Sequence, residues 1–167
     1  VDSKGNVYEG QWKNNFRHGN GTLVYLNNDK YDGEWVNNNK QGKGKIIYAN
    51  GDTYHGEWHK NKKEGFGEEI IVVNGISYIG YFKNNVYHGD GTYKTAIGNY
   101  YKGNWQYGKK EGKGKYVSSI GDTYEGSWKN DKKHNFGIYE FVDGDKYEGF
   151  WENDKIVGNG KYHFANG

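Results

Sequence analysis

Apolar and polar residues alternate in short segments along the chain. In YEGQW at residues 8–12, Tyr, Gly and Trp alternate with Glu and Gln, and GNGTL at 19–23 alternates again. A period of two residues is typical of a β-strand that has one polar face. The Asn pair at 14–15 tolerates the positive φ of a tight hairpin turn. This stretch therefore predicts one β-hairpin, and no segment of the chain shows helical periodicity.

The same pattern recurs at a nearly constant interval. Tyr-x-Gly-x-Trp begins at residues 8, 31, 54, 101, 124 and 147, and the variant YIGYF begins at 78. Gly-x-Gly, or Asn-Phe-Gly at 135, follows eleven residues after each of these starts. Such self-similarity predicts a repeat architecture. We expect a single array over 1–167, with the tail of a preceding repeat at 1–7 and repeats at 8–30, 31–53, 54–77, 78–100, 101–123, 124–146 and 147–167.

The glycines have a packing role in this interpretation. Large rings directly opposite each other on neighbouring strands would crowd, whereas a ring opposite a glycine can lie over its backbone. We therefore expect the rings of each first strand to cover glycines and to form a structural stripe that takes the place of a second layer. The predicted stripe consists of Tyr8, Trp12, Tyr31, Trp35, Tyr54, Trp58, Tyr101, Trp105, Tyr124, Trp128, Tyr147 and Trp151.

The third repeat departs from the regular spacing. It carries one extra residue within EEIIVVNGIS at 68–77. An insertion in a strand or in its exit loop can bulge or bend a sheet. We therefore expect a local change of twist or curvature near residues 70–75.

Composition excludes several classes of function. Aromatic residues make up 18% of the chain and Cys is absent, which excludes disulfides, thiolate zinc sites and a cysteine nucleophile. The net charge is +2, and 23 Lys and Arg residues include only Arg17 as arginine, which argues against nucleic acid as a partner. No apolar run reaches the ~18 residues of a spanning helix, and no signal peptide is visible.

The sequence motifs give little support for a catalytic function. The glycine-rich segments lack the following helix and the Lys-Ser/Thr pair of a phosphate loop. His18, His88 and His134 recur two or more repeats apart, too far to share one ion. His55 and His59 also stand too far apart along one strand to share an ion, although a metal site between two chains stays open. The carboxylates near each Tyr alternate with Lys on the polar face. We therefore predict no enzyme activity and no catalytic, cofactor-binding or metal-binding residues.

YEGxW followed by GxG at fixed spacing resembles the MORN (membrane occupation and recognition nexus) repeat over nearly the whole chain. Phe82 in place of Trp and Asn135 in place of Gly depart from the pattern. The resemblance implies an all-β fold: an elongated, twisted single-layer antiparallel sheet of stacked hairpins, a solenoid-like rod with a groove. It also implies a scaffold, a dimerising element or a docking surface, as in cytoskeletal, flagellar and membrane-junction proteins. Some such arrays stand beside lipid kinase or methyltransferase domains.

Two surfaces are candidates for partner binding. Tyrosines of the second strands could line a groove for a peptide or a partner helix, because Tyr is a favoured anchor. Lysines near the hairpin turns could face anionic lipid, although acidic residues are interleaved with them. The groove candidates are Tyr93, Tyr116, Tyr139 and Tyr162, and the lipid-facing candidates are Lys60, Lys62, Lys63, Lys109, Lys110, Lys132 and Lys133.

These observations favour a non-enzymatic scaffold that presents an extended β-surface to a protein partner. We expect it in the cytoplasm, at the cytoskeleton or at the inner face of a membrane. Unpaired edge strands also predict a homodimer through the terminal hairpins. The alternatives are a peripheral membrane module that binds anionic phospholipid headgroups, and an accessory array of an enzyme that lies outside this segment.

Overall fold

The computed structural model describes residues 1–166 as an all-β chain with two compact units, Val1–Val86 and the residues from Tyr87 onward. The first unit contains β1 (Val7–Lys13), β2 (Phe16–Val24), β3 (Lys30–Val36), β4 (Asn39–Ile47), β5 (Thr53–His59), β6 (Lys62–Ile71), a 3-10 helix (Val72–Asn74) and β7 (Ile76–Lys83). Strand β8 (Val86–Lys94) begins at the boundary and is followed by β9 (Tyr100–Gln106), β10 (Lys109–Val117), β11 (Thr123–Lys129), β12 (Lys132–Glu140), β13 (Lys146–Glu152) and β14 (Lys155–His163).

Antiparallel pairing joins consecutive strands within each unit. In the first unit the pairs run from β1–β2 to β6–β7, and in the second from β8–β9 to β13–β14. Each unit is thus one open layer of strands. This arrangement confirms the predicted all-β fold of stacked hairpins.

Two-residue turns close the hairpins. Both residues of each turn have positive φ, for example 50° at Asn14 and 61° at Asn15. This is the type I′ geometry, whose twist matches that of the flanking strands. Asn and Asp adopt this region more readily than other non-Gly residues, which explains their recurrence here. The turn pairs are Asn14–Asn15, Asn37–Asn38, Lys60–Asn61, Asn84–Asn85, Tyr107–Gly108, Asn130–Asp131 and Asn153–Asp154.

A β-bulge interrupts each regular hairpin near the first Gly of Gly-x-Gly. Gly10 pairs with Gly21, but Trp12 pairs with Arg17, so two more residues fit into β2 than into β1 over this interval. Gly19 lies within the bulge and has a φ of 66°. Asn135 occupies the equivalent place with a φ of 54°, so this departure from Gly falls on the residue type that best tolerates a left-handed backbone.

Tyrosine rings lie directly on pairs of glycines. A Cβ atom added to Gly44 would stand 2.5 Å from Cζ of Tyr31, and one added to Gly33 would stand 2.5 Å from Cα of Gly44. The Tyr31 hydroxyl donates a hydrogen bond to the Glu34 carbonyl at 3.1 Å. The ring therefore covers glycine backbone while its polar atom stays satisfied.

Tryptophans connect each repeat to the one before it. Trp58 meets Tyr54 edge to face at 5.1 Å between centroids and meets Tyr31 of the preceding repeat at 5.4 Å. Its Nε1 atom donates to the Gly44 carbonyl at 3.1 Å. Edge-to-face pairs gain energy beyond the burial of their area. The stripe is therefore a continuous chain of ring contacts within each unit.

Burial follows the stripe closely. Ten of its twelve residues are buried, as are Tyr78 and Phe82 of the variant repeat. Tyr8 is half-buried, and Trp12 is 58% exposed. Trp35, Trp58, Trp128 and Trp151 each pack on the first-strand Tyr of the preceding repeat.

The extra residue of the third repeat is taken up by longer strands, since β6 has ten residues and β7 has eight, where β2 has nine and β3 has seven. Glu69 pairs with Tyr78 and Ile71 pairs with Ile76 without a break in register. The 3-10 helix then fills the connection, and Gly75 closes it with a φ of 57°. The insertion therefore causes no break in the pairing of β6 with β7, while a change of twist or curvature stays a prediction.

Candidate partner-binding face

The second-strand tyrosines lie on the same sheet face as the stripe. Tyr116 pairs with Tyr124 across β10 and β11, and Tyr139 pairs with Tyr147 across β12 and β13. Tyr93, Tyr116 and Tyr139 are half-buried, and Tyr162 is 46% exposed. Each ring therefore packs on the stripe and leaves one edge open to solvent.

On this face, the first unit has other residue types at the positions of the second-strand tyrosines. Leu23, Ile46 and Glu69 occupy the positions that tyrosines hold in the second unit, since each pairs with the Tyr of the next or of the same hairpin. Leu23 and Ile46 are buried. A row of second-strand tyrosines is thus a property of the second unit, whereas the first unit places Tyr25 and Tyr48 of its connections near Lys40 and Lys63.

The predicted lysine row separates into two groups. Lys60, Lys62, Lys109 and Lys132 are exposed at the hairpin turns, as expected. The other three lie on the aromatic face and not on an outward-facing row, which corrects the prediction for Lys63, Lys110 and Lys133. The two-residue turns make Lys63 the partner of Trp58, Lys110 of Trp105 and Lys133 of Trp128. Cross-strand partners share a face, so these lysines point toward the rings.

Each inward lysine places its ammonium over several rings. Lys133 Nζ lies 4.3 Å from the Tyr139 centroid, 4.6 Å from Trp151 and 5.5 Å from Tyr124. Lys110 Nζ has the same relation to Tyr116, Trp128 and Tyr101, at 5.2, 4.8 and 5.3 Å. Ring faces attract cations at such distances. The lysines are therefore part of the face and contribute its positive charge.

Burial opposes the charge on these ammonium groups. It lowers the pKa of Lys110 and of Lys133, although nearby aspartates partly offset this effect. It lowers the pKa of Lys40, which lies 4.6 Å from the Trp58 centroid in the first unit, to about 8. The low polarity that causes these shifts also strengthens any electrostatic contact that a partner makes here.

Lys63 has a carboxylate partner on this face. Its Nζ forms a short ion pair with Glu69, and both side chains are at most 15% exposed. Glu69 holds the position of the second-strand tyrosines. The third repeat therefore supplies from within the chain the anion that its lysine binds.

Carboxylates in the connections between hairpins accept hydrogen bonds from the next repeat. Asp122 accepts hydrogen bonds from the Val142 amide at 3.0 Å and from the Tyr139 hydroxyl at 2.7 Å. Burial, followed by this bond to Asp122, raises the pKa of Tyr139 to about 12. Asp52 likewise accepts from the Val72 amide at 2.8 Å. These side chains tie the connections of successive repeats together.

The turn residues form a matching set of clamps at the opposite edge. The Lys133 amide donates to Asp154 Oδ1 at 2.8 Å, and the Asp154 amide donates to the Lys133 carbonyl at 3.1 Å. Asp131 forms the same reciprocal pair with Lys110, and Asn61 with Lys40. Sequence reasoning missed these clamps. Asn or Asp at the second turn position of most repeats was the available signal.

The opposite sheet face carries aromatic residues that were also not predicted. Phe66 and Tyr81 form an edge-to-face pair at 5.5 Å, and Phe136 and Phe150 form one at 5.7 Å. All four are more than 40% exposed. They provide exposed rings away from the aromatic face and serve below as controls.

Other chemistry can be stated for the described part of the chain. In residues 1–166, no group of three or more His, Asp or Glu side chains is arranged to hold a metal ion. Within the same range, no helix has the length and apolar character needed to cross a membrane.

Seven matches to the MORN repeat model cover residues 8–30, 31–53, 54–72, 78–100, 101–123, 124–146 and 147–167. The chain therefore belongs to the MORN repeat family. No curated protein matches it in sequence.

Solved structures similar to this chain include domains of proteins from two animals. The Drosophila melanogaster SAS-4 TCP domain, in complex with a proline-rich motif of Ana2, is 11% identical, covers 100% of this chain and 89% of its own, and has a TM-score of 0.57. The TCP10c domain of Drosophila melanogaster Sas-4 is 12% identical over 87% of this chain and 93% of its own, with a TM-score of 0.44. The Danio rerio CPAP TCP10 domain in complex with a STIL peptide is 11% identical over 86% and 73%, with a TM-score of 0.40. At 11% identity and a TM-score of 0.57, the likeness to the SAS-4 TCP domain concerns the fold alone.

Proposed function

We propose that this chain is a non-enzymatic scaffold that binds an extended segment of a partner protein along its aromatic face. The observation that carries the proposal is the row of tyrosine edges in the second unit. Tyr116 and Tyr139 pack on the stripe with one side, and among residues 1–166 no second layer covers the other. Tyr offers a large contact area with little loss of side-chain entropy, which suits a binding surface.

The chemistry of the face favours a proline-rich segment. Polyproline II segments dock on aromatic-lined grooves because they are extended and already ordered before binding. The SAS-4 domain with a similar fold is in complex with a proline-rich motif, and this supports the same class of ligand here. A setting at the cytoskeleton is part of the proposal.

The packing supports a binding role over a catalytic one. Most of the recurring Tyr and Trp residues pack over glycines or donate to backbone carbonyls, as Tyr124 and Trp128 do. The recurring Asp and Asn residues accept from backbone amides of the neighbouring repeat. These residues stabilise the sheet. We therefore assign partner binding to the residues that vary between repeats.

Fluorescence anisotropy with labelled proline-rich peptides tests the proposal. We expect Tyr116→Ala to weaken binding about tenfold, which corresponds to the loss of one aromatic anchor. Phe136→Ala is the matched control, because Phe136 is a 41% exposed aromatic side chain on the opposite face. Thermal melts of both variants verify that they remain folded. Equal binding by the two variants would contradict the proposal.

Membrane binding is the competing function. Only the exposed turn lysines Lys60, Lys62, Lys109 and Lys132 support it, and Lys62 already donates to Asn84 at 3.0 Å. Co-sedimentation with phosphatidylserine vesicles at ~0.15 M salt separates this function from weak charge attraction, which such salt screens. Association of two chains through terminal hairpins also stays a prediction, and light scattering over a range of concentrations checks it.

A further inference from the structure

We infer that the segment bound by the second unit carries two carboxylates three residues apart, which pair with Lys110 and Lys133. This inference rests on the proposed function of the same face. It concerns the charge pattern of the ligand, whereas the proposed function concerns its extended, proline-rich backbone.

Within residues 1–166, the two ammonium groups have rings as neighbours, while the aspartates near them stand beyond ion-pair distance. In the described part of the chain, no carboxylate oxygen lies within 4.0 Å of Nζ of Lys110 or Lys133. Three aspartates act on these lysines from a longer distance and accept hydrogen bonds from other groups. Asp131 and Asp154 each accept a backbone amide in a turn clamp, and Asp122 uses both oxygens for Val142 and Tyr139.

The chain itself shows what such an ammonium binds. Lys63 occupies the equivalent place in the third repeat and pairs with Glu69. Tyr116 and Tyr139 stand at the position of Glu69 in the fifth and sixth repeats, where they provide a ring and no carboxylate. A carboxylate from a partner can therefore take the role that Glu69 plays in the third repeat.

Strand spacing sets the distance between the two carboxylates. Lys110 lies on β10 and Lys133 on β12, and β11 pairs with both strands. Neighbouring strands stand ~4.8 Å apart, so the two lysines repeat at ~9.6 Å along the sheet. A polyproline II segment rises ~3.1 Å per residue and returns to the same side every three residues, after ~9.3 Å. Acidic residues at i and i+3 thus present both carboxylates to the lysines.

Three labelled peptides with the same proline-rich background test the spacing. One carries Glu at i and i+3, the second carries Gln at these positions, and the third carries Glu at i and i+2. We expect the first to bind about tenfold more tightly than the second, as two partly buried charge pairs allow. The third has the charge of the first but cannot reach both lysines, so its affinity is expected to lie between the other two.

Lysine variants assign the effect to the inward side chains. The double variant Lys110→Met and Lys133→Met keeps an unbranched side chain over the rings and removes both charges. We expect it to bind the i, i+3 Glu peptide as weakly as the Gln peptide. The matched control is Lys109→Met with Lys132→Met, which removes two exposed charges at the adjacent residues. This control is expected to retain the preference for Glu.

The outcomes separate the inference from the proposed function. If the Glu and Gln peptides bind equally well and Tyr116→Ala weakens both, the face binds peptides but the inference is wrong. If both Glu peptides bind equally tightly, total charge and not spacing determines affinity, and the inference is again wrong. If no peptide binds, the proposed function fails and the inference fails with it.

Discussion

Glycine at the second place of Gly-x-Gly is required by the ring above it. A Cβ atom on Gly114 would stand 2.6 Å from Cε2 of Tyr101, and the ring is held by its bond to the Asn104 carbonyl. We expect Gly114→Ala to lower the free energy of unfolding by about 3 kcal/mol, since overpacking displaces a buried ring. Urea unfolding measures this loss.

The first glycine of the same motif provides the control. Gly112 has a φ of 73°, and a Cβ atom added to it would have Oδ1 of the flexible Asn104 side chain as its nearest neighbour, at 3.2 Å. Asn135 shows that Asn occupies the equivalent place. We therefore expect Gly112→Asn to cost less than ~1 kcal/mol. A loss as large as that of Gly114→Ala would contradict the account of ring and glycine packing.

At the scale of the element, tryptophan side chains are the main link between successive hairpins. Trp58 is 4% exposed, contacts rings of two repeats and donates to the Gly44 carbonyl. We expect Trp58→Ala to lower the free energy of unfolding by ~3–5 kcal/mol, as is usual for a buried aromatic residue. Trp12→Ala is the matched control, because 58% of this side chain is already exposed. Similar losses in the two variants would show that stacking between repeats does not stabilise the fold.

The elements themselves were predictable, and the reasons are local. A period of two, paired Asn or Asp residues at the turns and glycines opposite rings depend on near neighbours in sequence. The positions of Lys63, Lys110 and Lys133 were missed although the turn type implies them. Once the turn is known to comprise Lys60 and Asn61, pairing across it places Lys63 opposite Trp58.

At the scale of the molecule, each strand packs on its neighbours in sequence, so we expect a mutation to act mainly near its own repeat. In repeat proteins, stability is approximately a sum over repeats and their nearest interfaces. We expect Trp58→Ala to increase amide hydrogen exchange in β3–β6 and to leave β10–β13 protected. Hydrogen exchange followed by mass spectrometry resolves these segments. An equal loss of protection in both units would contradict the expectation.

Alkaline pH is expected to destabilise the molecule through its buried tyrosines. Burial, as the largest cause, raises the pKa of Tyr124 and Tyr139 to about 12, and it also raises the pKa of Tyr31, Tyr54 and Tyr101. Unfolded tyrosines lose their protons near pH 10, while these stay protonated in the folded state. Stability is therefore fully present below pH 10 and is lost as the pH rises toward 12. Urea unfolding at a series of pH values measures this, and Tyr139→Phe is expected to show a shallower loss.

Lys40 acts in the opposite direction at lower pH. Burial lowers its pKa from the ordinary value of 10.5 to about 8 in the folded state. Between these values the unfolded chain binds a proton that the folded chain does not, so stability rises with pH over this range. We expect the free energy of unfolding to increase slightly from pH 8 to 10 in the parent protein and less in Lys40→Met. An equal increase in both would contradict this assignment.

The sequence by itself determined the repeats, the hairpins, the turn positions and the stripe of rings over glycines, because these follow from alternation and from spacing within one repeat. The tertiary structure decided which groups each charged side chain contacts. Lys133 lies over Trp151, Glu69 neutralises Lys63, and Asp122 is occupied by Val142 and Tyr139. These relations depend on side chains that meet only when hairpins stack, at distances that no single repeat specifies.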